Sequence, residues 1–185
     1  MKKITKILIC MTMLFTLSEA KMFVGVDGGY DVHGVASSGY VGSSVYNGHY
    51  GSRLWSLNLN FGGEGLVNNY FGFRAFLEAG YAQAIYGALK FANLGVNVDS
   101  LINFVSNGSF SFGMILGLGA NYEVNVNNGD GSFPLYARTG FTFGIGPNSR
   151  IDLTLKLPMV GWYLNGNAKG TNASLKFQLG YKVLF

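Results

Sequence analysis

Cysteine is almost absent: the only one in 185 residues is Cys10, inside the apolar run Ile7 to Leu17. If that run is removed, disulfides, thiol catalysis and Cys-based metal sites are all excluded. Charge is scarce too. Asp, Glu, Lys and Arg make up 12% of the chain, about half the usual share. No Lys/Arg cluster lies beyond the first six residues, so nucleic acid is not an expected partner. The two histidines, His33 and His49, lack a third fixed ligand for a metal. No cofactor motif is present, and no Ser/His/Asp grouping sits where rigid strand ends would hold it. Neither a catalytic nor a metal site is expected.

The first twenty residues read as a removable segment. Met1 to Lys6 is positive, Ile7 to Leu17 is apolar, and Ser18 and Ala20 are the small residues of a cleavage site before Lys21. Eleven apolar residues are too few for a membrane-spanning helix. The reading is a bacterial secretory signal over 1–20, cleaved between Ala20 and Lys21, followed by one domain over 21–185. Removal takes three lysines and one glutamate away and leaves +2 of the formal +4.

Glycine, at 28 residues, and aromatics, at 15%, are abundant. They fall into a period-two pattern. Leu175 to Phe185 sets Leu175, Phe177, Leu179, Tyr181, Val183 and Phe185 against Lys176, Gln178, Gly180 and Lys182. Such alternation makes one face of a strand apolar and the other polar or small. It recurs over Met22–Tyr30, Arg53–Gly62, Tyr70–Tyr81, Ala92–Phe104, Phe110–Tyr122, Leu135–Ile145 and Ile151–Leu157. Residues 104–122 carry no charge and include Gly113-x-x-x-Gly117, which also suits a membrane helix. The alternation of Phe112, Met114, Leu116 and Leu118 with Gly113, Gly117 and Gly119 decides for a strand.

Eight strands of this kind predict an all-β fold: an eight-stranded antiparallel up-and-down transmembrane β-barrel. The expected loops 31–52, 82–91, 123–133 and 159–172 are long. The intervening connections are short, including Gly62 to Asn69 and the Asn107-Gly108 turn, and Pro158 is expected to end the seventh strand. Long loops belong outside and short turns in the periplasm. A soluble barrel with the apolar parity inward would have too many large side chains for its lumen. The reverse puts apolar residues in lipid and collects Asp27, Arg74, Glu78, Asp99, Arg138, Asp152, Lys156, Lys176 and Lys182 inside. Buried charges need partners, so these residues are expected to form a paired plug, with a charged pore lining as the rival. Arg74 and Glu78 lie about 13 Å apart along one strand and must pair with other strands. His33, His49 and Asp31 fall in the first loop, as do Tyr40, Tyr46 and Tyr50, a Tyr/Ser/Gly mix of the kind binding loops use.

Asn68 to Ala82 (NNYFGFRAFLEAGYA), Asn93 to Phe104 (NLGVNVDSLINF) and the ending LKFQLGYKVLF resemble the Helicobacter outer-membrane protein family. The resemblance implies insertion into the outer membrane of a Gram-negative cell. It also implies that Tyr181 and Phe185 form the assembly signal read by the barrel-insertion machinery. Larger members of that family include adhesins and pore-formers, but this chain shows no added adhesin domain between signal and barrel. The expected role is non-enzymatic, structural or surface-interacting through the loops, with adhesion among the candidates. A narrow porin-like pore is the alternative, and a lipid-modifying enzyme using His33 or His49 is a third reading. Outer-membrane lipid, lipopolysaccharide and a host or surface ligand are the expected partners.

Overall fold

The computed structural model describes residues 20–36, 52–163 and 171–185. Most of the expected signal segment, together with His49, Tyr40, Tyr46 and Tyr50, lies outside the described residues. Eight strands follow one another: β1 (Lys21–Ala36), β2 (Arg53–Asn68), β3 (Phe71–Ala84), β4 (Lys90–Ser106), β5 (Phe110–Asn125), β6 (Gly131–Ile145), β7 (Ser149–Tyr163) and β8 (Thr171–Leu184). Each pairs antiparallel with its sequence neighbours, and β8 returns to β1 to close the barrel. The seam runs from Phe23 opposite Leu184 to Ala36 opposite Thr171. Beyond it, Met22 and Phe185 exchange backbone hydrogen bonds of 3.0 and 2.9 Å. Closure leaves no unpaired strand edge, the condition for crossing lipid with sheet.

The alternation sets the two faces. On β2, Leu54, Ser56, Asn58 and Asn60 are buried while Trp55, Leu57, Leu59 and Phe61 are exposed. Leu59 and Leu118 are each 62% exposed and Leu94 is 60% exposed. Leaving such side chains in water would forgo roughly 1.5–3 kcal/mol apiece, whereas hydrocarbon solvates them. Aromatic rings bound the aliphatic belt. Trp55 and Tyr81 pack at 5.9 Å on the loop side. Phe112 meets Phe104, Phe141 and Phe143 at 5.7, 5.8 and 5.1 Å on the turn side. The belt and its two girdles are those of a transmembrane barrel. Replacing Leu118 by Arg is expected to lower stability in bilayers by about 2–4 kcal/mol. Urea unfolding in lipid vesicles reads this directly, and an unchanged midpoint would contradict a lipid-facing Leu118.

The strands run further than the alternation suggested. Asp31 to Ala36 belong to β1, Ala82 to Ala84 to β3, and Glu123 to Asn125 to β5, so the loops are shorter than expected. Most of the expected turn Gly62 to Asn69 is the end of β2, and the chain reverses only at Asn69 and Tyr70. Glycine there serves packing rather than turning: a side chain at Gly62 would collide with Phe76 of β3. Pro158 does not end β7. Tyr136 pairs with Pro158 and Leu135 with Val160, so the ladder skips a residue beside the proline. A bulge is where a strand tolerates a residue without an N–H.

Candidate functional site: the charged interior

The inward parity fills the barrel with ionic groups at two levels. In the turn-side half, the Arg74 guanidinium donates to Asp152 at 2.7 Å and to Asp99 at 3.0 Å. Glu64 lies 4.0 Å away. Arg138 donates to Asp99 at 2.8 Å. Lys182 of β8 reaches Asp152 at 2.8 Å and Asp27 at 3.3 Å. Arg150 donates through Nε to Glu64 at 2.6 Å. The Phe76 ring sits among three of these cations, 4.9 Å from Arg138, 5.6 Å from Arg74 and 6.0 Å from Lys182. Its face offers them negative quadrupole charge, and Phe23 and Leu184 pack against it, the two rings 5.8 Å apart and inclined at 61°.

In the loop-side half, Lys156 donates to both oxygens of Glu78 at 2.6 Å, and Asn93 donates to the same carboxylate at 3.3 Å. Nearer the mouth, Glu123 accepts from Lys176 at 2.7 Å and from the Tyr136 hydroxyl at 2.9 Å. Asp31 accepts from Ser56 at 3.0 Å and lies 3.9 Å from Lys176. Leu54, Ala82 and Phe91 form an apolar cluster at this end. At the opposite end, the turn-side mouth holds a vestibule of about 470 Å³ lined by Lys21, Glu64, Asn69, Asn107, Ser111 and Arg150.

All nine interior charges named from the sequence are buried and face inward. Arg74 and Glu78 do not meet. Arg74 joins β4 and β7, and Glu78 joins β7, as their spacing along one strand requires. Lys182 reaches both Asp27 and Asp152, whereas Lys176 pairs with Glu123 and Asp31 instead. Four further interior charges escaped the sequence reading: Asp31, Glu64, Glu123 and Arg150. Each continues an inward parity already visible: Asp31 follows Asp27 and Gly29, Glu64 follows Asn60 and Gly62, Glu123 follows Asn121, and Arg150 precedes Asp152. Glycine and asparagine masked the continuation because they also signal turns. The interior is less purely polar than expected, since Phe23, Leu54, Leu101 and Ile115 also point inward.

Glycine allows this filling. The Asp99 carboxylate lies across Gly117 on β5, where any Cβ would strike it. Small residues on one strand thus seat the ionic side chains of the next.

His33 is not a loop residue. It lies on β1, buried, with Nδ1 at 2.9 Å from the Ser174 hydroxyl on β8. Its ring is 4.8 Å from Phe91. Among the described residues no carboxylate is hydrogen-bonded to that imidazole, and no three His, Cys, Asp or Glu side chains gather as a metal site. Tyr181 and Phe185 both face outward at the turn side, and the Tyr181 hydroxyl lies 3.1 Å from that of Ser149.

The sequence matches no family model and no curated protein sequence. Its fold matches known barrels. Neisserial surface protein A aligns with 91% of this chain and 100% of its own, at 14% identity and a TM-score of 0.61. Ail, the attachment invasion locus protein of Yersinia pestis, covers 90% of this chain and 99% of its own at 15% identity and 0.49. The outer membrane protein OprG of Pseudomonas aeruginosa covers 91% and 98% at 14% identity and 0.48. At such identities the likeness speaks for architecture alone, and the Neisserial comparison carries it. The chain folds as a closed eight-stranded antiparallel transmembrane β-barrel, the architecture of small outer-membrane proteins.

Proposed function

We propose that this protein is a non-enzymatic, non-conducting barrel of the outer membrane. It holds loops on the cell surface for structural support or for contact with a host or other surface, adhesion included. The observation that carries the reading is the interior. Ion pairs at two levels join opposite walls, and the Phe76 ring, packed with Phe23 and Leu184, sits among three of the cations. A lumen knitted in this way supports a scaffold over a pore. Membership of the Helicobacter outer-membrane protein family rests on the three segments quoted from the sequence. On the same reading the signal is cleaved at Ala20–Lys21, and Tyr181 and Phe185 address the chain to the insertion machinery.

Single cysteines test the placement cleanly, because Cys10 is the only native one. Tyr86 in the β3–β4 connection is highly exposed, and Asn107 lies in the opposite β4–β5 turn. With Tyr86→Cys, an impermeant thiol reagent is expected to label intact cells. With Asn107→Cys, it labels only after the outer membrane is permeabilised. The reverse pattern, or recovery of the protein in the soluble fraction, would overturn the proposal. In planar bilayers the refolded barrel is expected to give no single-channel steps. Reproducible unitary steps would favour the pore instead.

A further inference from the structure

Among the described residues, the outward-facing cations of the loop side, Arg53 and Lys90, share one flank. Among the described Lys and Arg residues, Arg74, Arg138, Arg150, Lys156, Lys176 and Lys182 face inward and are paired with carboxylates. Lys21, at the turn side, donates to the Pro147 carbonyl at 2.7 Å. Arg53 and Lys90 remain. Each precedes an inward residue, Leu54 and Phe91, so each faces out. Both lie at the loop-side ends of their strands, β2 and β4, with β3 between them. Two strand spacings, about 10 Å, separate the strands that carry them. Neither has a carboxylate partner among the described residues.

Gln83 of β3 stands opposite Lys90 on one side and Trp55 on the other. Its Oε1 accepts from the Tyr81 hydroxyl at 3.1 Å, which leaves its amide nitrogen as the end that can donate outward. One step toward the membrane centre comes the Trp55–Tyr81 pair. Below that, Leu57, Leu59, Leu77 and Leu94 form a bare aliphatic wall. This flank therefore presents, from loop side to centre, two cations with an amide between them, two interfacial aromatics, and hydrocarbon. That order matches an anionic amphiphile whose phosphate sits at headgroup height over several acyl chains.

The geometry points to a docking site for a phosphorylated glycolipid of the outer leaflet, the lipid A part of lipopolysaccharide. Arg53 and Lys90 take its phosphate groups, Gln83 donates between them, and the β2–β4 wall takes its acyl chains. The inference rests on the proposed topology, which turns the loop side toward the outer leaflet. Guanidinium and ammonium groups bind phosphate through charge-assisted hydrogen bonds, so the site should discriminate by phosphate and not by chain length alone.

The test is native mass spectrometry of the refolded full chain in detergent, titrated with bisphosphorylated lipid A, its dephosphorylated counterpart and phosphatidylglycerol. The wild type is expected to retain one lipid A, with at least tenfold weaker retention of the other two lipids. Arg53→Gln/Lys90→Gln should lose lipid A retention at least tenfold, while Lys21→Gln at the turn side retains it. Heat-modifiable gel mobility shows that each variant is folded. Equal retention by the double variant would overturn the site. So would equal retention of phosphatidylglycerol, or no retention by the wild type. Binding in detergent does not depend on cellular placement, so a failure of the topology would show in the cysteine labelling and not here.

Discussion

Replacement of Arg74 by Met should lower the unfolding free energy of the barrel by about 3–5 kcal/mol, read from urea titrations in lipid vesicles. Arg74 is 0% exposed, bonded to Asp152 and Asp99 and 4.0 Å from Glu64. Each of those carboxylates keeps one other cation: Lys182, Arg138 and Arg150 respectively. The group as a whole balances Arg74, Arg138, Arg150 and Lys182 against Asp27, Glu64, Asp99 and Asp152. Without Arg74 it holds one excess negative charge where water cannot screen it, and the cost follows from that excess rather than from a lost contact. Arg74→Lys should fall between, because an ammonium keeps the charge without the planar fork that serves two carboxylates at once. A loss below about 1 kcal/mol in Arg74→Met, the size of an exposed ion pair, would show that solvent reaches the cluster.

The Glu78–Lys156 pair should behave differently as a pair than as single residues. Glu78→Leu and Lys156→Met are each expected to cost about 3–5 kcal/mol, since each strands a fully buried charge. The double variant is expected to be near neutral. Burying two charges is itself expensive, and an apolar pair of similar volume avoids that cost. The double-mutant cycle should therefore give a coupling of several kcal/mol, at the upper end for contacting residues. Additive costs in the double variant would mean that the pair is held by its neighbours, Asn93 first among them, and not by its own charge compensation. The contrast with Arg74 is informative. Glu78 and Lys156 are each other's only ion-pair partner among the described residues, whereas Arg74 is the hub of a shared network.

Much of this was legible in the chain. Period-two alternation names the faces of a strand without reference to anything distant, because successive side chains must point opposite ways. Thus Leu57 and Leu59 could be placed outside, and Asp27, Asp99 and Lys182 inside, from parity alone. Glycine and proline carry more than one structural meaning. In Gly62 to Asn69 the glycines looked like a turn, yet Gly62 makes room for Phe76 on the next strand. Pro158 looked like a stop, yet a bulge beside it lets β7 continue to Tyr163. This double meaning conceals Glu64 on β2 and makes the strands read short from alternation alone, which places Asp31 and His33 in a loop although both belong to β1.

The sequence by itself determined the architecture and the sorting of its side chains. Eight alternating segments with sparse charge leave closure in lipid as the arrangement that satisfies both faces and every backbone group. Only the tertiary structure decided which charges meet. Partner choice depends on register and on strands far apart in sequence: Arg74 finds Asp152 across the lumen, and Lys156 finds Glu78 in the same way. Parity repeats every two residues and carries no information about which strand lies opposite. The same holds outside the barrel, where Arg53 and Lys90 become neighbours on one flank because β3 lies between them.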